Sequence, residues 1–399
     1  MDLSERLRVG KMKAITNKDL MRRANTKLVL QEIFNNEYTT RAAISRELGL
    51  NKSTVSSIYD DLKEKQLVEE VGEGEASHSG GRKPTKIRIY DQYGFTLSFD
   101  ISFHNLHFMA NYVNGTVIER NEINIDGKDI HEIVELIQST ADRFVRTVVS
   151  VNGLLGICLS IHGIVDEQQK ISYSPFIDYD GVSLNNLLSA AYHVPVILEN
   201  ESNLTAVYVR DFVMHYDSKN LIAISIHKGI GSGIIVNNQL FRGFNGRAGE
   251  VGRTLTKNED GQLTPIEQIC SEDAIIGRLN QKLGVCNLNR YSVVDGYRQG
   301  DPVVVSVINE FIEEIASLIY NSAMYFDTNA IYLGSPLMEA APEIFDQILK
   351  TVQQLNTNSI ELAQLQDSDK ATLLGACSVA THHVLDLVGY PLSFADEHA

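Results

Sequence analysis

Between Asn51 and Ser57 the chain gathers six short or cationic polar side chains: Asn51, Lys52, Ser53, Thr54, Ser56 and Ser57. Amides, hydroxyls and an ammonium are the groups that hydrogen-bond phosphate oxygens and base edges, so this cluster is a candidate nucleic-acid surface. Either Asn51 or Ser53 can at the same time cap a helix N-terminus. A second basic feature follows at Gly81-Arg82-Lys83-Pro84. There the glycines permit close approach, and the guanidinium of Arg82 can enter a narrow, A·T-rich minor groove where negative potential is enhanced. The alternative for Arg82 and Lys83 is a solvated loop; the groove is favoured because acidic residues stop at Glu75 and the cations come after them.

These side chains need particular elements to hold them. Ala43, Ile44 and Leu48 recur at helical spacing, as do Val55, Ile58 and Leu62, which predicts two short helices, Ala42 to Leu48 and Ser53 to Lys65, joined through Gly49 and Leu50. Leu67 to Val71 and Thr85 to Tyr90 read as the two strands of a hairpin whose tip is GEGEASHSGGRKP. The whole is the pattern of a winged helix-turn-helix, in which the second helix lies in a major groove and the wing follows the neighbouring backbone. Charge agrees with this placement. The net charge is −16, yet residues 1–90 hold 17 Lys+Arg against 13 Asp+Glu, and the remainder holds 18 against 38. A basic head therefore sits on an acidic body that phosphates would repel, which leaves the head as the surface for double-stranded DNA.

At 399 residues two or three domains are expected. No apolar run approaches a membrane span, and the charged start MDLSERLRVGKMK lacks the apolar stretch of a secretory signal, so a cytoplasmic protein with no membrane partner is expected. Cys158, Cys270, Cys286 and Cys377 lack CxxC spacing and read as buried reduced thiols. Within the body, Phe95 to Ile125 predicts three strands with a turn at Asn114-Gly115, followed by a helix from Ile130 to Val149. The order recurs after Asn220, with turns at the glycines of LIAISIHKGIGSG and at Asn237-Asn238. That repetition predicts a duplicated α/β body with a ligand cleft between its lobes. The expected domains are 1–90, 91–205 and 206–399.

LGLNKSTVSS, SGGRKP, ENESN (Glu199 to Asn203), GIGSG (Gly229 to Gly233) and GRAGEVG (Gly246 to Gly252) together resemble the bacterial ROK family, which joins sugar kinases to sugar-responsive repressors on an actin/hexokinase-like, ribonuclease H-like fold. The resemblance runs over essentially the whole chain after about Ala24 and is nearest to the xylose-responsive repressors of Gram-positive bacteria. It implies that Asn200, Glu201, Glu250 and Glu267 surround a monosaccharide, with Glu201 where the kinases hold their general base and Arg253 where the family has a histidine. Carboxylates and amides suit that task because a pyranose presents paired hydroxyl donors. The kinase D-x-G-G-T loop becomes Asp100-Ile-Ser-Phe-His-Asn105, whose side chains block phosphate approach, and Gly229, Gly231 and Gly233 are explained by a tight hairpin. TLTKNEDGQLTP replaces the family's cysteine cluster, so no structural zinc is expected, and His162-Gly163 and Pro175-Phe176 replace its Pro-Gly and Pro-Asn elements. The expectation is a repressor without catalytic residues, metal or cofactor. It would be a homodimer or homotetramer on a palindromic operator, with xylose the first-guess effector. A sugar kinase with a DNA-binding head, and a regulator whose sugar site has decayed, are the alternatives.

Overall fold

The computed structural model describes residues 17–74, 83–328, 330–355 and 360–394. The chain divides into two compact units, Met1–Tyr90 and Asp91–Ala399. In the first, α1 (Asn17–Phe34) precedes α2 (Arg41–Glu47) and α3 (Lys52–Glu64), and β1 (Val68–Glu73) pairs antiparallel with β2 (Thr85–Ile89). Thr40 caps α2 by accepting from the Ala43 amide, Asn51 caps α3 by accepting from Thr54, and Gly49 between them takes φ +64, which a side chain would resist. Ile33, Ile44, Val55, Ile58, Leu62 and Ile87 close the core, whereas Ala43 and Leu48 are only half-buried.

The second unit opens with β3 (Phe95–Ile101), β4 (Asn105–Tyr112), β5 (Val117–Asn124) and α4 (Ile130–Thr147). It continues through β6 (Leu154–Ile161), β7 (Ile164–Val165), β8 (Ile171–Tyr173), α5 (Leu184–Tyr192), β9 (Val196–Asn200) and α6 (Glu201–Tyr208). Then come β10 (Leu221–Ile226), β11 (Ile230–Val236), β12 (Gln239–Leu240), β13 (Leu255–Lys257), β14 (Leu263–Pro265), α7 (Glu267–Cys270), α8 (Glu272–Leu283), α9 (Arg290–Gln299) and α10 (Pro302–Phe326). The last elements are β15 (Ala330–Gly334), α11 (Pro336–Ala340), α12 (Pro342–Leu355), β16 (Glu361–Gln364) and α13 (Ser368–Val384). Two five-stranded sheets result, β5-β4-β3-β6-β9 and β12-β11-β10-β15-β16. In each, the first three strands are antiparallel and the last three parallel, so the duplication expected from the turn signals holds strand for strand.

Period-two alternation decides what each sheet face meets. Phe95, Leu97, Phe99 and Ile101 pack with Ile133, Ile137 and Phe144 of α4, while Thr96 of the opposite face reaches Cys377 of α13. In the second sheet Ile222, Ile224 and Ile226 pack with α10, and the opposite face meets α6. The lobes thus exchange helices: α13, last in the chain, covers the first sheet, and α6 covers the second. A boundary at residue 205 falls inside α6. The two helices cross at Gly375, where an added Cβ would lie 2.0 Å from the Leu204 carbonyl oxygen, and β11 runs under α6 at Gly233, 2.1 Å from Ser202 O by the same measure. Gly231 and Gly233 therefore lie in a strand that α6 approaches, rather than in a tight hairpin turn. Three of the four cysteines are buried; Cys286 is exposed, because it follows the Gly284 turn that ends α8. Among the described residues no helix is long and apolar enough to cross a membrane.

Two glycine substitutions should act with opposite signs. Gly375→Ala forces backbone apart and should lower stability by about 1–3 kcal/mol or more. Gly277→Ala, on an exposed part of α8 with open space around it, should raise stability by up to about 1 kcal/mol through helix propensity. Urea-unfolding midpoints at unchanged slope measure both.

Candidate functional site

The polar start of α3 is built around Asn51. Its Oδ1 accepts from the Thr54 amide at 2.9 Å, from Ser53 Oγ at 2.7 Å and from Thr54 Oγ1 at 2.8 Å, so Asn51 is the cap, and the Ser53 and Thr54 hydroxyls are drawn toward it. Lys52 and Ser57 are exposed, and Thr54 and Ser56 half-buried. Ser57 Oγ accepts from Arg22 of α1 at 3.3 Å, a contact with no signal in the local sequence. Lys83 lies 3.9 Å from Glu73 across the wing, and Arg82 is outside the described residues.

In the body, ENESN spans the end of β9 and the start of α6, so its side chains fall where the exchanged helices meet. Asn200 caps α6 through its Oδ1, which accepts from the Asn203 amide at 3.1 Å, and its Nδ2 donates to Gly163 O at 2.8 Å. Glu201 is 7% exposed. It accepts from Ser202 Oγ at 2.9 Å, Ser225 Oγ of β10 at 2.9 Å, Thr205 Oγ1 at 3.3 Å and Thr372 Oγ1 of α13 at 3.4 Å. Both residues thus direct polar atoms at the chain itself. Glu199, which sequence reasoning did not single out, is buried and receives Arg242 at 2.9 and 2.6 Å, tying β9 to the loop after β12.

Glu250, Arg253 and Glu267 form a separate group on the second lobe. Gly249, at φ +87, leaves no room for a Cβ beside Ser232 O, and this turn brings Glu250 out next to the short helical turn Val251–Arg253. Burial pushes the Glu250 carboxyl above its usual range, Arg253 at 2.9 Å opposes this, and the neighbouring Glu267 charge adds to it. Arg253 also stacks over Tyr173, 4.8 Å from the ring centroid. The segment TLTKNEDGQLTP closes as the β13–β14 hairpin, with Asn258 Oδ1 accepting from the amides of Asp260 and Gln262 and Glu259 receiving Arg278 and Lys282. It delivers Glu267 to the start of α7. Among the described residues no group of three or more His, Cys, Asp or Glu is arranged to hold a metal ion.

Between the turn after β3 and the β10–β11 turn, side chains meet. Phe103, in the turn after β3, lies under Lys228 of the β10–β11 turn, with the ammonium 3.2 Å from the ring centroid. Lys228 also contacts His104 Nε2 at 3.3 Å and Asp273 at 3.5 Å, and Phe176 meets Phe103 edge-on at 5.5 Å. Deeper, His162 Nε2 lies 3.1 Å from the buried Asp100 carboxylate. Burial disfavours the imidazolium, but Asp100, with more remote Glu201 and Asp369, overrides it and raises His162 to about 9. Burial also acts upward on Asp100, yet His162 and His107 hold its carboxyl below the usual range. A cavity of about 900 Å³ is walled by residues 168–186 and Leu198, Tyr173 and Phe176 among them, and none of the five expected sugar residues lines it.

The ROK family model matches residues 96–383. The xylose repressor of Lactiplantibacillus pentosus is 42% identical over 379 residues, 94% of this chain and 97% of that protein. The xylose repressor of Staphylococcus xylosus is 38% identical over 368 residues, 91% of this chain and 96% of that protein. The crystal structure of a ROK family transcriptional regulator, a homologue of the Escherichia coli Mlc protein, superposes with a TM-score of 0.77 at 19% identity, covering 93% of this chain and 99% of that one. The latter likeness is one of fold.

The His162–Asp100 pair sets a sign for pH. Because the folded pKa of His162 is raised from 6.5 to about 9, its stabilisation is complete below about 6.5 and is lost as pH rises through about 9. Asp100, being depressed, contributes in the opposite window, its stabilisation falling away only in acid. His162→Gln should flatten the decline of stability between pH 6.5 and 9, read from urea midpoints across that range.

Proposed function

Because the chain belongs to the ROK family, we propose that it is a sugar-responsive, DNA-binding transcriptional repressor of carbohydrate-utilisation genes, with xylose the first effector to test. The observation that carries this reading is a body in which Phe103 and Lys228 fill the space between the turn after β3 and the β10–β11 turn, while Glu250 pairs with Arg253 near the Glu267 carboxylate. A phosphoryl donor needs backbone amides left open by glycine, and here the turn after β3 carries Phe103 and His104 instead. The wing and the exposed Lys52 at the start of α3 supply the DNA-binding half. No catalysis is assigned to this chain. The repressor acts as a homodimer or homotetramer, so that two heads meet the half-sites of a palindromic operator. The names of the similar repressors support xylose as effector.

Glu250 and Glu267 accept hydroxyl donors of the sugar, and Arg253 completes the group. The carboxylate of Glu201 already accepts from the Ser202 and Ser225 hydroxyls, with those of Thr205 and Thr372 within reach, so its part is to hold the crossing of the lobes. That same observation favours a second reading, in which the sugar site has decayed and the body serves for association.

The test uses full-length protein and a duplex it selects from a random-sequence pool. Xylose should change duplex affinity by roughly 5- to 150-fold, the range of coupling energies of about 1–3 kcal/mol. Glu250→Gln should require more xylose, since losing a charged hydrogen bond costs about 1.5–3 kcal/mol, while its sugar-free affinity for DNA stays as in wild type. A response at equal xylose in both proteins removes Glu250 from the site. Indifference of the wild type to every common monosaccharide establishes the decayed sensor, and ATP-dependent sugar phosphorylation would establish a kinase.

A further inference from the structure

α3 presents a charge problem to any polyanion. Val55, Ile58, Tyr59 and Leu62 are buried, and helical spacing puts Ser53, Ser57, Asp60 and Glu64, all exposed, on the opposite side, with Asp61 adjacent to them. The first half of that outward side is hydroxyl-bearing and the second half acidic. DNA lying along it would meet the carboxylates of Asp60, Asp61 and Glu64 at distances where like charges repel.

One cation answers this from another element. Arg22 of α1 donates from Nη2 to Asp61 Oδ2 at 2.5 Å and to Ser57 Oγ at 3.3 Å, although these lie 39 and 35 residues away in sequence. Its side chain remains 53% exposed, and a guanidinium carries five N–H donors in a fixed fork, so Nε and Nη1 are left for another acceptor. Other head cations are engaged elsewhere: Lys63 with Glu70 at 2.8 Å, Arg88 with Glu69 at 2.8 Å, Arg46 with Glu47 at 2.9 Å, and Arg41 over the Tyr59 ring at 5.1 Å. Arg22 differs from these in touching Ser57, a residue of the outward side.

We propose that Arg22 is a contact residue of the DNA interface: Asp61 and Ser57 hold its guanidinium beside the recognition helix, where it grips a backbone phosphate flanking the bases that α3 reads. The same ion pair cancels the charge of Asp61, which would otherwise push that phosphate away. α1 is thereby part of the interface rather than only a support for the helix pair. This rests on the head being a DNA-binding unit, and the controls separate the two claims.

Anisotropy of a labelled duplex selected by the full-length protein, followed over a salt series, is the readout. Arg22→Gln keeps a donor for Asp61 but removes the charge; it should leave the melting temperature unchanged, lower affinity by about tenfold, and reduce the slope of log K against log salt by about 0.9, the loss of one phosphate contact. Arg22→Lys should retain the slope and recover part of the affinity. Asp61→Ala, which keeps the cation and its Ser57 contact but removes the ion pair, should not reduce the slope. If Arg22→Gln matches wild type in slope and affinity while Lys52→Ala lowers both, Arg22 is not in the interface although the head still binds DNA. If Arg22→Gln and Asp61→Ala lower the melting temperature alike and leave the slope unchanged, Arg22 only ties α1 to α3 and the proposal fails. If neither Arg22→Gln nor Lys52→Ala alters slope or affinity, the winged head itself is not the DNA-binding surface.

Discussion

The body is organised by the crossing of α6 and α13, two helices that each cover the other lobe's sheet and meet so closely that only a hydrogen fits at Gly375. Close backbone approach removes any freedom for one lobe to tilt without carrying the helix that belongs, by packing, to its neighbour. It also explains the position of ENESN, because α6 begins there: Asn200 caps the helix and Glu201 faces the crossing. A buried carboxylate is costly unless its lone pairs are met. Ser202, Thr205, Ser225 and Thr372 meet those of Glu201 from α6 itself, the second sheet and α13, so one acid senses the relative placement of three elements.

What could be read from residues alone follows from how local each signal is. Asn114-Gly115 and Asn237-Asn238 specify turns within two residues, and the alternation on either side specifies the strands, so the duplicated order is legible in the sequence. The winged head was legible for the same reason, its caps and periodicities lying within a few residues of one another. The helix exchange was not, since the hydroxyls of Thr205 and Thr372 that meet across it are 167 residues apart. Nor was the pairing of Glu199 with Arg242, which is a matter of where a loop returns after β12. Resemblance transfers a residue's position but not the direction of its side chain. Asn200 and Glu201 lie where β9 passes into α6, and Ser225, Thr372 and Gly163 O decide what they bind.

Side chains fill the space between the turn after β3 and the β10–β11 turn. A backbone opened by glycine can wrap a phosphate chain; a backbone bearing Phe103 and His104 instead packs on Lys228 from the facing turn. Beneath them His162 supplies a positive charge to Asp100 from within the chain. The acidic surroundings are thus balanced by the protein's own groups.

The hairpin that carries Glu267 into place draws its shape from the Asn258 turn and from Glu259 bound by Arg278 and Lys282. A loop held by thiolates around a metal would change shape when the cell's metal supply fell or its thiols oxidised, and any response to ligand would then report on those conditions as well. A loop held by amide hydrogen bonds and ion pairs rests instead on charges that dissolved salt screens. The placement of Glu267 is thereby tied to the ionic strength around the hairpin.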